Sequence, residues 1–154
     1  MRLTVLGMIV SVLLTSCAAL AGHEAALPVQ TIRIDTASGP KEFKVEVAAD
    51  AVSQQHGLMY RRDLPADAGM LFDFHQEARV SFWMKNTPLP LDMVFIRKDG
   101  TVASIERNAE PYSTQSIPSV EPVRAVLEIN GGRAQDLGIK PGDRVRADIF
   151  GDTD

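Results

Sequence analysis

A single cysteine serves the whole chain, and Cys17 stands near the N-terminus rather than among residues that can build a core. The foldable part therefore has no disulfide, no zinc–thiolate cluster and no cysteine nucleophile at its disposal. Motifs with a fixed grammar are missing too. The sequence holds no glycine-rich phosphate loop, no dinucleotide fingerprint, no nucleophile-elbow serine and no paired-histidine metal motif, so it assigns no catalytic residue, metal ligand or cofactor. No internal repeat or low-complexity tract is present, which excludes solenoids and fibrous folds. Nor is there an excess of positive charge. The formal net charge is -4, and loss of Arg2 with the N-terminal segment takes one more positive charge away. A mildly acidic body gives no electrostatic reason to bind nucleic acid or an anionic bilayer.

What remains is an ordinary globular composition, 45% hydrophobic and 23% charged over 154 residues. That length supports one domain and is too short for two separate cores. Residues 1–21 read as a secretory signal, with Arg2 as the positive n-region and Leu3 to Leu14 as a short apolar run. The run falls short of the roughly 20 residues of a membrane span. Two cleavage readings compete. Ala19-Leu20-Ala21 suits ordinary signal peptidase, releasing a soluble chain from Gly22, whereas Leu14-Thr15-Ser16-Cys17 matches a bacterial lipobox with Cys17 as the lipidated first residue. Residues 22–30 read as a tether, 31–150 as the domain and 151–154 as a tail.

Within the domain, the main signal is alternation at period two. Ile32 and Ile34, then Phe43, Val45 and Val47, alternate with charged residues around the turn Ser38-Gly39-Pro40, predicting a half-buried hairpin. Asp50 is placed to cap a short helix from Ala51 to about Tyr60. Met70 to Phe74, Val80 to Met84 and Met93 to Ile96 are apolar on both faces, as central strands are. Asp99-Gly100 turns into Thr101 to Ile105, and 108–122 reads as a long loop. Val123, Ala125, Leu127 and Ile129 form one strand face. A helical turn follows at 131–138, and a last strand at 144–150. The sum is a mainly β fold of seven to nine strands with two short helices, either a compact antiparallel β-sandwich or a partly closed barrel.

Candidate binding residues cluster around Ser81 to Asp92. Alternation sends Val80, Phe82 and Met84 to one face and Trp83 to the other, beside Arg79, Ser81 and Lys85. The lone tryptophan is thus expected on the solvent side, where an indole can stack a planar group. Lys85, Asn86, Thr87 and Asp92 bring donors and acceptors to a turn stiffened by Pro88 and Pro90, which lowers the entropy cost of ordering them. On the strand after Val123, Glu128 points away from Leu127 and Ile129. Asp92 and Glu128 are expected to share a cleft with Lys85 or Arg61, as an acid–base pair or a polyol grip. The bland alternative is a structural network in which these groups satisfy turns and pair with arginines.

The blocks Gly57 to Arg61, Gly69 to Phe72, Phe82 to Thr87, Leu91-Asp92, Val126 to Glu128 and Gly138 to Asp143 resemble the domain-of-unknown-function-192 family over about Ile32 to Ile149. The resemblance implies a compact β-rich domain, often exported in bacteria, with no assigned catalytic residues. The expectation is therefore an exported envelope protein, periplasmic or anchored at Cys17. It would act as a binding module for a small polar ligand or partner segment through Arg61, Trp83, Lys85, Asn86, Thr87, Asp92 and Glu128. Two alternatives stand beside it. One is an envelope carbohydrate hydrolase or transferase using Asp92 and Glu128. The other is a metal-handling protein built on Met59, Met70, Met84, Met93, His56 and His75, for which core packing is the competing role of the methionines.

Overall fold

In the computed structural model, alternation becomes pairing at the start of the described residues, 26–151. Residues 1–25, which include the expected signal and Cys17, lie outside them, as do 152–154. Strand β1 (Val29–Thr36) runs antiparallel to β2 (Gly39–Ala48), from Val29↔Glu46 to Thr36↔Gly39. Val29 and Gln30, assigned to the tether from sequence, already belong to β1. The Asp50 side chain accepts from the Val52 and Ser53 amides and so starts α1 (Ala51–His56). The helix stops earlier than predicted, at Gly57 with φ +53°. A Cβ there would meet the Phe72 ring at 3.3 Å, so both the turn and the packing favour glycine.

The chain returns as β3 (Ala68–Ala78), parallel to β2, because α1 carries it across the sheet. This is the one departure from the expected antiparallel pairing within the large sheet. After β4 (Ser81–Phe82) come β5 (Leu91–Ile96), β6 (Val102–Ala109), β7 (Ile117–Pro118), β8 (Val123–Asn130), α2 (Arg133–Asp136) and β9 (Arg144–Arg146). The expected final strand breaks after Arg146 into a 3-10 turn, Asp148–Phe150, and Ile149 and Phe150 lie against the core.

The large sheet has the order β6-β5-β8-β3-β2-β1-β9, and β4 and β7 form a small second sheet. Of the two architectures expected, the protein adopts the partly closed barrel. The sheet curls until its ends approach, with Thr101 bridging to Arg144 and the Val145 amide donating to the Gly100 carbonyl at 2.8 Å. All seven strands supply the barrel interior, including Ile32, Phe43, Leu71, Val94, Val102, Leu127 and Val145. A second core lies on the other side of the sheet, where Met70, Phe72, Met93, Phe95 and Val126 meet Leu58 and Met84. Strands β3, β8 and β5 are thus covered on both faces, which explains their unbroken apolar runs.

Asp92 ties the barrel end together. It is fully buried, and its carboxylate accepts from the amides of Asn108 (2.8 Å), Gly132 (2.9 Å) and Ala134 (2.8 Å). The N-cap of α2, Gly132, has no side chain to satisfy the helix start, so Asp92 does this from the neighbouring strand. Asp92→Ala strands one buried donor, the Ala134 amide, and two part-buried ones, and should cost roughly 3 kcal/mol. Urea unfolding measures this, and Asp92→Asn, which keeps one acceptor oxygen, should lose less.

Candidate functional site

Beside the second core lies an open cavity of about 410 Å³. The end of α1 and the turn after it form one wall with Gln54, His56, Gly57 and Met59. Strand β3 contributes Phe72 and Phe74, the β4 segment contributes Ser81, Phe82 and Trp83, and Thr87 and Glu128 complete the lining. The phenylalanines are fixed edge to face, Phe82 lying 5.0 Å from Phe72 and 6.3 Å from Phe74 between ring centroids. His56 and Glu128 are the only ionisable side chains among the lining residues.

Strand pairing puts Glu128 here. Across the sheet it stands opposite Met70 on β3 and Met93 on β5, both essentially without solvent contact. Directly opposite residues share a face. The same row continues to Glu46 beyond Met70 and to Glu106 beyond Met93, each two strands from Glu128, or about 10 Å. The backbone cannot yield either, because a Cβ on Gly69 would come within 2.5 Å of the Glu128 carbonyl oxygen. Glu128 is 4% exposed, and among the described residues its carboxyl makes no hydrogen bond or ion pair. Burial alone pushes it up to about 8, so at neutral pH it stands mostly as the neutral acid.

The other sequence candidates divide. Trp83 is 46% exposed, with the Lys85 Nζ 5.1 Å from its ring centroid, so the indole emerges as strand parity predicts. Thr87 is buried and donates to the Lys85 carbonyl at 3.2 Å. Asn86 sits at φ +56° and donates to the Tyr60 hydroxyl at 2.8 Å, while the Tyr60 amide donates to the Asn86 carbonyl at 2.8 Å. Asn86 thereby joins the two loops that wall the cavity. Arg61 does not reach the cavity lining. It forms a two-pronged pair with Glu46, at 2.6 and 2.5 Å.

The expected pairing of Asp92 with Glu128 is not formed. Asp92 stands opposite Ile129 on the barrel side, whereas Glu128 stands opposite Met93 on the other side, so the sheet separates the two carboxyls. Asp92 is also fully engaged with backbone amides. A shared acid–base cleft built on these two residues is ruled out by that register. The methionine–histidine set disperses as well. Met70, Met84 and Met93 pack in the second core, only Met59 and His56 line the cavity together, and the His75 ring lies against Asp73 and the Ala49 carbonyl. Sequence reasoning missed the aromatic wall of Phe72, Phe74 and Phe82. Its one signal was the shared parity of Phe72 and Phe74, which marks a face without revealing a hollow above it.

A family model for DUF192, described as "Uncharacterized ACR", matches residues 32–147. The chain belongs to the DUF192 family. A solved structure from Sinorhizobium meliloti, described as a candidate transcription regulator, is 47% identical with a TM-score of 0.79, covering 82% of this chain and 98% of its own. A protein of unknown function from Novosphingobium aromaticivorans is 40% identical with a TM-score of 0.78, covering 81% of this chain and 89% of its own. No curated protein matches the chain.

The Glu128 acid in this DUF192 domain makes stability depend on pH. The folded state holds a proton that the unfolded state releases above its ordinary value of 4.5. Stability from this group is therefore complete below that value, and falls by about 1.4 kcal/mol per pH unit until pH reaches about 8. Glu128→Gln removes the loss. Its Tm should match that of the wild type near pH 4.5 and exceed it increasingly towards pH 8, which thermal melts across that range check.

Proposed function

We propose that this DUF192 protein is a small-ligand binding module of the bacterial cell envelope, and that its ligand enters the cavity beside Trp83 and meets Glu128. The observation that carries this reading is the Glu128 carboxyl, buried, unpaired and facing an open hollow. Burying such a group without a partner costs stability, and proteins retain that cost mainly where a ligand repays it. The aromatic wall supplies area, Trp83 closes one side, and Asn86 and Thr87 hold the loops in place. This refines the expected polar-ligand surface to an aromatic cavity with a single acidic group, and Asp92 and Arg61 drop to supporting roles.

The N-terminal signal pattern supports export, with the mature protein either periplasmic or tethered through Cys17. The description of the Sinorhizobium meliloti relative raises gene regulation as another reading. The net charge of -4 favours a small-molecule ligand over nucleic acid.

Trp83 is the only tryptophan, so its fluorescence reports occupation of the cavity directly. Screening small aromatic, polyol and amine fragments against the purified protein should find compounds that shift its emission. Trp83→Phe, followed by ligand-observed NMR, and Glu128→Gln should each weaken the hits at least tenfold. With Trp83 half exposed, its substitution should change Tm little. Hits that bind both variants as well as the wild type would place the ligand elsewhere.

A further inference from the structure

The chemistry of the cavity narrows the class of ligand that the binding-module reading requires. Four aromatic side chains, Phe72, Phe74, Phe82 and Trp83, line it together with one carboxyl that no cation among the described residues neutralises. Cations near Glu128 are committed elsewhere. On its own strand, Arg124 is four residues away, about 13 Å along an extended chain, and pairs with Asp73. From the β2 side Arg61 is taken by Glu46, and from the β6 side the row ends in the acid Glu106. On α1 the cavity wall offers His56, and above the β4 segment Lys85 rests over the outer Trp83 ring. That last contact already shows the indole holding an ammonium group. Aromatic faces attract cations through their quadrupole, most strongly when water is excluded, and cages of such rings recognise methylated ammonium groups.

Resting on the cavity reading, we propose that the ligand carries a methylated ammonium group, held between the aromatic wall and the Glu128 carboxylate. A primary ammonium fits less well, because it brings three N–H donors to a wall whose rings offer no lone pairs. A trimethylammonium has no donors to satisfy, and spreads its charge over methyl groups that pack against rings. A neutral planar ligand would leave Glu128 unpaired, whereas a cation supplies the missing partner. Entry of the cation converts Glu128 from acid to carboxylate, and the proton leaves to solvent. Charge is balanced in that exchange: one positive charge enters and one proton departs.

The test uses the purified protein with choline and with 3,3-dimethyl-1-butanol, its uncharged isostere, followed by Trp83 fluorescence and calorimetry. Choline should bind and the isostere should bind at least tenfold more weakly. Choline affinity should tighten about tenfold per pH unit below pH 8 and level off above it, with proton release visible as a dependence of heat on the buffer. Glu128→Gln should abolish that slope. His56→Gln, which removes the other titratable group of the wall, should leave the slope in place. Phosphatidylcholine vesicles carry the same group on a lipid. Binding of free choline alone assigns a soluble ligand, and binding of the vesicles as well assigns a lipid head group. Equal binding of choline and the isostere overturns the ammonium inference while leaving the cavity reading intact. No binding of choline or of the vesicles overturns the inference too, and the cavity reading then stands or falls on fragment hits that depend on Trp83 and Glu128.

Discussion

Much of this structure is organised by the double burial of β8. A central strand covered on both faces has nowhere to put a charged side chain cheaply, and desolvating a carboxylate costs several kcal/mol. The protein meets that constraint in two different ways on neighbouring strands. On the barrel side, Asp92 accepts hydrogen bonds from three backbone amides and fastens α2. On the other side, Glu128 receives no such help and keeps its proton instead. One acid is spent on architecture, and the other is left available to whatever enters the cavity.

The surroundings of Glu128 show how packing and site depend on each other. Met70 and Met93 flank it across the sheet and exclude water, while Gly69 lets β3 approach β8 closely. Gly57 brings the turn after α1 against Phe72, and Asn86 couples that turn to the loop beyond Trp83. The cavity walls are therefore set by contacts made for folding. This agrees with a binding site formed before its ligand arrives, since little ordering entropy remains to be lost.

Much of the fold was legible because its signals are local. The β1–β2 hairpin follows from alternation around Gly39, and the two-faced runs of β3, β5 and β8 announce central strands. Strand parity also placed Trp83 outward and Glu128 opposite Leu127. Order within the sheet was not legible, because the parallel β2–β3 pair and the insertion of β8 between β3 and β5 are non-local. For the same reason parity could separate the faces of one strand without saying what covers each face. Glu128 was read as facing an open cleft, when its face holds a second core with a hollow at its side. Asp92 was read as part of that cleft, and only the fold brings α2 to it. Arg61 and Glu46 are 15 residues apart, so their pairing too waited on the loop's path.

The cavity depends on a glutamic acid that keeps its proton at neutral pH, and that state can be observed without knowing any ligand. Carbon-13 NMR of the glutamate side-chain carboxyls, titrated in the empty protein and assigned by comparison with Glu128→Gln, measures it directly. The expected midpoint for Glu128 is about 8. A midpoint near the ordinary value of 4.5 would contradict it, because the carboxyl would then be hydrated or paired and the cavity would lose its defining group.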